Sequence, residues 1–134
     1  MAELQIGDVI AELEIDIDRG SLVRYAGASG DFNPIHYSDL VAEQVGLPGV
    51  LAHGMLTMGI AASVASDALS AYGEVSDYGV RFTRPVVVDA RSGAKVQVSV
   101  KVAELSDESS RADLTVRAAE TTVLVKAQLR IRRK

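Results

Sequence analysis

The sequence predicts an α+β protein in which a strongly curved antiparallel sheet wraps around one long central helix. Residues 54–72 are apolar or small on nearly every side, which is typical of a buried helix. After Gly73 the pattern changes to alternating apolar and polar residues, which is typical of half-buried strands. Short polar links separate these strands, and such links favour antiparallel hairpins packed around the helix.

The composition predicts one ordinary globular domain over residues 1–134. Hydrophobic residues make up 48% of the chain and charged residues 24%, which favours neither a disordered nor a membrane protein. The absence of cysteine excludes disulfides, cysteine nucleophiles and thiolate metal sites. A net charge of −4 argues against a nucleic-acid partner. No apolar run reaches the roughly 20 residues of a membrane span and no secretory leader is apparent, so we expect a cytoplasmic protein.

The N-terminal part of the chain predicts one strand and two short helices. Residues 11–17 alternate apolar and acidic side chains, which is the period of a half-buried strand. Asp18 then caps a short helix, and the glycines and serine of residues 27–30 end it. A second short helix is expected from position 38 or 39 to position 45, because Gly46 follows as a stop signal.

The remaining elements are the central helix and four strands. The helix is expected from Gly54 to about Tyr72. Gly59 weakens such a helix by about 1 kcal/mol relative to alanine, which indicates either close packing at this point or plain tolerance of one glycine. The strands are expected at residues 80–86, 96–102, 114–118 and 123–131.

Both histidines, His36 and His53, lie in one polar and glycine-rich region. Asp31 precedes His36 and is separated from it by Asn33-Pro34. Because proline removes a donor and restricts the residue before it, a bent loop presents the acid and the imidazole. Taken singly, these residues have ordinary structural explanations, as turn residues or as a satisfied buried histidine. Together they favour an acid–base pair, since histidine titrates near neutral pH.

Gly54 opens the predicted central helix, where unpaired N–H groups and the positive end of the helix dipole favour negative charge. Such a helix end can stabilise an oxyanion, and a glycine there lets a substrate carbonyl approach the backbone closely. A plain glycine at a helix start explains the same residue equally well. His53, directly before it, is expected to orient this turn.

Metal binding is the alternative use of Asp31, His36 and His53. Neither histidine has the regular helical spacing of zinc-binding pairs, and no cysteine is present to assist. We therefore expect neither a metal ion nor another cofactor.

Two segments carry a resemblance to a known family. Residues 25–36, followed by residues 51–58, resemble the hydratase-2 signature of the MaoC-like (R)-specific enoyl hydratases and dehydratases. The resemblance implies the hot-dog fold of that family, and residues 82–86 look like the strand that follows its central helix. In detail the chain is most similar to the catalytic B subunits of the heterodimeric (3R)-hydroxyacyl-acyl-carrier-protein dehydratases of mycolic-acid synthesis.

The resemblance implies an activity and roles for individual residues. Asp31 and His36 would form a catalytic dyad that activates the water added to, or lost from, C3 of an acyl thioester. The Gly54 N–H would bind the thioester carbonyl, and Asn33 and His53 would support the site. The expected reaction is the (R)-specific interconversion of (3R)-3-hydroxyacyl and trans-2-enoyl thioesters of acyl carrier protein (ACP) or coenzyme A, in fatty-acid or mycolic-acid elongation. The alternatives are a non-catalytic acyl-thioester-binding hot-dog subunit and an acyl thioesterase.

A dimer is the expected assembly, because one hot-dog unit exposes an edge of its sheet and a face of its helix. The partner would be an identical chain or a sister hot-dog subunit. Acyl carrier proteins are typically acidic, so Arg84 or the terminal arginines Arg130, Arg132 and Arg133 could steer such a carrier.

Overall fold

The fold of residues 2–134, described by a computed structural model, is one five-stranded antiparallel sheet with three α-helices. The sheet has the strand order β1-β3-β4-β5-β2. Along the chain the elements are β1 (Val9–Ile17), α1 (Arg19–Ser29), α2 (Asp39–Gln44), α3 (Gly54–Leu69), β2 (Gly73–Phe82), β3 (Ala94–Leu105), β4 (Ser109–Ala118) and β5 (Thr121–Arg133). The α+β fold class predicted from the sequence is therefore confirmed.

The helix caps are those that the sequence predicts. Asp18 accepts a hydrogen bond from the Ser21 N–H and forms a capping box at the start of α1. Gly30 ends this helix in the left-handed conformation, with φ 78°. Ser38 caps α2, which the chain reaches after one 3₁₀ turn at residues 34–36. These caps fix both ends of the loop that carries the predicted acid and imidazole.

The central helix α3 contacts all five strands of the sheet. Its buried face consists of Thr57, Ala61, Val64, Ala65 and Leu69. The apolar composition predicted that α3 would be buried on every side. In the single chain this prediction is wrong, because the face opposite the sheet is exposed at Met55, Gly59, Ser63 and Asp67. A Cβ added at Gly59 would meet no atom within 4 Å, so no close contact of the described chain requires a glycine there.

The other predicted strands are confirmed, whereas the strand predicted at residues 80–86 ends at Phe82, and one connection also differs from the prediction. β3, β4 and β5 form consecutive antiparallel hairpins. β2 instead begins at Gly73, seven residues before the predicted start, and pairs with β5 at one edge of the sheet. β3 pairs with β1 near the other edge, so the link between β2 and β3 crosses the sheet and is not a hairpin.

This crossing link helps to position the start of α3. The Ala52 N–H donates to the Val86 carbonyl, and the Val88 N–H donates to the Val50 carbonyl. Leu51 and Val87 form an antiparallel bridge between these two bonds. The chain therefore enters α3 from a segment held in extended form. Within residues 2–134, no helix is long and apolar enough to cross a membrane.

Candidate active site

One carboxylate oxygen of Asp31 accepts a backbone hydrogen bond. The other, called the open oxygen below, accepts none within residues 2–134. Its Oδ1 accepts a hydrogen bond of 3.1 Å from the Asn33 N–H, while its own N–H donates to Ser29 Oγ. The Asn33 side chain accepts from the Ile35 N–H and so caps the following 3₁₀ turn. Asp31 Oδ2 faces His36, and the side chain is 52% exposed.

The contacts of the His36 ring define its tautomer. Nδ1 lies 2.7 Å from the Leu51 carbonyl oxygen, which can only accept, so Nδ1 carries the proton. In the neutral ring Nε2 then holds the lone pair, and it lies 3.9 Å from Asp31 Oδ2. This distance is too long for a direct hydrogen bond. It suits a water or substrate hydroxyl that contacts both atoms, which is the geometry of general acid–base chemistry.

His53 lies directly against this pair. Its ring stacks on His36 with centroids 3.9 Å apart, and the Tyr25 ring packs against it in a T-shaped arrangement with centroids 4.7 Å apart. His53 Nε2 donates to the Asp31 carbonyl oxygen over 3.1 Å. Its Nδ1 is buried and has no partner within the described part of the chain. His53 therefore contacts both members of the predicted dyad.

Gly54 is the first residue of α3, and its N–H donates to no acceptor within residues 2–134. Unpaired N–H groups at a helix start, together with the helix dipole, favour a negatively charged ligand. A Cβ at this position would lie 3.1 Å from the Phe82 ring, so a side chain would require the ring to move. The backbone here is accessible because the residue is glycine.

A cavity of about 330 Å³ adjoins these groups. His36 and Gly54 contribute to its wall, whereas the half-exposed Asp31 lies beside His36 and is not a wall residue. Thr57, Thr83 and Arg84 add polar groups to a largely apolar lining. The other wall residues are Leu51, Ala52, Phe82, Pro85, Val86, Val123 and Leu124. Such a cavity fits the reacting end of an apolar ligand.

Asp31, His36 and His53 could in principle bind a metal ion, since their ligand atoms lie within 4.8 Å of one another. The two rings are nearly parallel, with an interplanar angle of 22°. An imidazole lone pair points along its own ring plane, and two stacked planes meet only far from both rings. One ion cannot therefore lie about 2.0–2.1 Å from both nitrogens along their lone pairs. The arrangement fits proton transfer better than metal binding.

The structure brings together all five residues singled out in the sequence: Asp31, Asn33, His36, His53 and Gly54. Two neighbours were missed. The Leu51 carbonyl that orients His36 is a backbone atom, for which the sequence offers no signal. Phe82 reaches Gly54 from β2, and only the pairing of β2 with β5 brings it there.

Comparison with known proteins identifies relatives. The family described as MaoC like domain matches residues 3–123. The 3-hydroxyacyl-thioester dehydratase X of Mycobacterium tuberculosis is 41% identical over 73 residues, which cover 54% of this chain and 25% of that protein. The 3-hydroxybutyryl-CoA dehydratase of Methylorubrum extorquens is 34% identical over 113 residues, which cover 84% of this chain and 69% of the relative.

Solved structures share the fold. A MaoC-like dehydratase superposes with a TM-score of 0.88 and 33% identity over 98% of this chain and 41% of its own. A chain of the ChsH1-ChsH2 complex from M. tuberculosis superposes with a TM-score of 0.86 over 98% of this chain and 100% of its own. At 18% identity, this second likeness shows the fold alone. The chain spans less than half the length of the first curated relative and of the first solved structure.

Proposed function

The chain belongs to the MaoC-like family, and from this premise we propose that it interconverts trans-2-enoyl and (3R)-3-hydroxyacyl thioesters by (R)-specific hydration and dehydration. The observation that carries the proposal is the separation of 3.9 Å between Asp31 Oδ2 and His36 Nε2, beside the unpaired Gly54 N–H. These three groups are what addition of water to an activated double bond requires.

The proposed reaction uses the two open atoms of the dyad. In hydration, a water between Asp31 Oδ2 and His36 Nε2 gives up a proton to the dyad while its oxygen forms the bond to C3. The electrons of the C2–C3 double bond move towards the thioester, and the carbonyl oxygen becomes an enolate oxygen. The dyad then gives a proton to C2 as the carbonyl re-forms, so that the dyad returns to its starting state. Dehydration follows the same steps in reverse.

The Gly54 N–H stabilises the enolate in this scheme. Negative charge on the carbonyl oxygen is greatest at the enolate, so a fixed donor aimed at that oxygen lowers the barrier more than it strengthens substrate binding. Loss of one such donor costs about 10²–10³ in rate in other enzymes. The position of Gly54 at the helix start supports this role, because neighbouring first-turn N–H groups add to the positive potential.

Arg84 is the cation that we propose for binding the carrier of the acyl group. It lines the cavity and also an adjoining groove of about 510 Å³ that shares Pro85 and Val86 with it. Among the described residues it forms no ion pair within 4 Å. Both coenzyme A and ACP carry a phosphate on the pantetheine arm, so one arginine could serve either carrier.

The basic residues near the end of the chain fit this role less well. Arg130 pairs with Glu104 at 2.9 Å, and Arg132 lies 3.4 Å from Glu74. They also lie near the end of β5, whereas Leu124, near its start, lines the cavity. At about 3.3 Å per strand residue, about 20 Å separates Leu124 from Arg130.

Replacement of Arg84 by glutamine tests the carrier proposal. Arg84→Gln should raise KM about tenfold for thioesters of coenzyme A and of ACP, the effect of losing one hydrogen bond to a charged group. The thioester of N-acetylcysteamine has no phosphate and should be unaffected. An equal rise in KM for all three substrates would show that Arg84 acts on the acyl part, and no rise for any would remove it from the binding site.

A second hot-dog unit is the partner that we propose. β2 is an edge strand with unpaired backbone groups, and its side chains Val75 and Phe82 are 47% and 54% exposed. Met55, on the uncovered face of α3, is 59% exposed. An identical chain or a sister subunit that pairs along β2 would extend the sheet and cover these residues.

Absorbance of the enoyl thioester tests the proposed activity. The purified chain, alone and with candidate sister subunits, should remove the absorbance of trans-2-enoyl-coenzyme A or trans-2-enoyl-ACP. The product should be the (3R)-3-hydroxyacyl thioester, with no release of free thiol. Release of thiol would indicate a thioesterase. Saturable binding of the thioester without turnover on either carrier would indicate a non-catalytic binding subunit.

A further inference from the structure

We infer that His53 is a positioning residue that fixes Asp31 and His36 relative to each other. It touches both groups and takes no proton in the proposed reaction. The inference deepens the proposed function and rests on it, since the reaction needs the open atoms of these two side chains to face one another.

The first support is the pattern of contacts made by the one side chain. The His53 N–H at Nε2 donates to the Asp31 carbonyl oxygen, 22 residues earlier in the chain. The face of the same ring stacks on His36 at 3.9 Å. Tyr25 from α1 contacts the ring as well, and only 1% of His53 is exposed. The loop, the 3₁₀ turn and the start of α3 therefore meet at one buried imidazole.

The second support is that His53 has features that a purely stabilising residue would lack. Its Nδ1 is buried without a partner in the described chain, and an unsatisfied buried polar atom costs stability. His53 is also the N-cap residue of α3, yet its side chain makes no capping hydrogen bond. Serine or aspartate would cap this helix better. Neither packing nor capping explains an imidazole here, whereas its contacts with both dyad members do.

The third support comes from the loop that carries Asp31. All other hydrogen bonds of Asp31 within residues 2–134 are local, to Ser29 and Asn33. The bond from His53 is the one that ties Asp31 to a distant segment. Without it the loop would keep its turn but lose its fixed distance from His36. A displacement of about 1 Å can lower a rate by about 10²-fold.

Two substitutions separate the two contacts. In His53→Gln, the glutamine amide reaches as far as Nε2 and keeps the donor to Asp31, but the stacked ring is lost. In His53→Phe, the ring remains and the donor is lost. We expect each variant to lower kcat for enoyl hydration about 10- to 100-fold, while KM changes less than about threefold. His53→Phe also removes the unsatisfied Nδ1, so its Tm should equal or exceed that of the wild type.

A double-mutant cycle tests whether the phenylalanine variant acts through Asp31. If it does, His53→Phe should lower the residual kcat of Asp31→Asn by less than about threefold. Leu69→Ala serves as the control for lost stability, since Leu69 is a buried residue at the far end of α3. This variant should lower Tm while leaving kcat at 25 °C close to the wild-type value. A wild-type kcat in His53→Phe, or fully additive losses in the cycle, would overturn the inference.

Hydrogen exchange gives a readout that does not depend on activity. The backbone N–H groups of residues 31–33, 35 and 36 should exchange at least about tenfold faster in His53→Phe than in the wild type, because the tether to the loop is gone. Unchanged exchange would contradict the positioning role even if the wild type proved inactive. An inactive wild type with faster exchange in the variant would reject the proposed reaction and keep the positioning role.

Discussion

Asp31 and His36 each have one side-chain atom that is hydrogen-bonded to the backbone and one open atom that faces the other residue. Asp31 Oδ1 is held by the Asn33 N–H, and His36 Nδ1 is held by the Leu51 carbonyl. The open atoms, Oδ2 and Nε2, face each other at 3.9 Å. The backbone therefore orients both groups before substrate binds, which reduces the reorganisation needed during the reaction.

The sequence predicted part of this arrangement. The Asn33-Pro34 break indicated that a bent loop would bring Asp31 and His36 together, since proline cannot continue a helix. The tautomer of His36 could not be predicted, because it depends on the Leu51 carbonyl, a backbone atom placed by pairing with Val87. Residue types thus identified the site, and long-range pairing determines its geometry.

Substitution of Gly54 should separate activity from stability. In Gly54→Ala, the new Cβ lies 3.1 Å from the Phe82 ring and beside the N–H proposed to bind the enolate, so kcat/KM should fall about 10²-fold. Gly27→Ala is the matched control, because Gly27 lies within α1 and its Cβ would meet no atom within 4 Å. This control should raise the free energy of unfolding by about 0.5–1 kcal/mol and leave activity unchanged. Full activity in Gly54→Ala would contradict the role of the helix end.

At the scale of secondary-structure elements, the sequence correctly predicted the helix ends that depend on contacts between residues close in the chain. Asp18 and Gly30 bound α1 as predicted, because a cap bonds within its own turn. The first residues of β2 were missed because Gly73, Gly79 and exposed acidic residues weaken the strand pattern. Pairing with β5 keeps this segment extended despite that weak propensity. The link that crosses from β2 to β3 likewise depends on non-local pairing.

Tyr78 connects β2 to α3 and gives the fold a dependence on alkaline pH. Its hydroxyl donates to the Met58 carbonyl, and burial raises its pKa to about 12. In the unfolded chain the phenol ionises near its ordinary pKa of 10.0. The folded state therefore holds more protons between these values, and the free energy of unfolding falls as pH rises from about 10 to about 12.

Urea denaturation of Tyr78→Phe checks this dependence. At about pH 8 the variant should be less stable by about 1 kcal/mol, because the hydrogen bond to Met58 is lost. Between about pH 9 and about pH 11 its stability should fall less than that of the wild type, since no buried phenol remains at this position to ionise. An equal fall in both proteins would show that Tyr78 does not carry the alkaline dependence.

At the scale of the whole molecule, we expect only one of the two edges of the sheet to pair with a partner subunit. β1 and β2 are the edge strands, and both expose an apolar side chain, Leu13 at 56% and Val75 at 47%. We propose that only the β2 edge is covered by a partner, because β2 ends at Phe82, which lines the cavity. The sequence predicted that an edge would pair, but not which edge, because strand order is set by the whole sheet.

A matched pair of substitutions tests the choice of edge. Val75→Lys places a charge in the proposed interface and should raise the dissociation constant of the dimer at least about tenfold. Leu13→Lys makes the same change at the other edge and should leave assembly intact. Light scattering coupled to size exclusion measures both variants, with the sister subunit present if one is required. Dissociation by Leu13→Lys alone would assign the interface to β1.

The most direct test of the proposed dyad is the rate of enoyl-thioester hydration by Asp31→Asn beside the wild type. The variant keeps the size and the Oδ1 contact of the side chain but removes the carboxylate that faces His36. Asp16→Asn, an exposed carboxylate on β1, controls for the loss of one charge. We expect kcat to fall at least about 10³-fold in Asp31→Asn and to remain unchanged in Asp16→Asn. Hydration by Asp31→Asn at a rate within about tenfold of the wild type would contradict the proposed role of the Asp31–His36 pair.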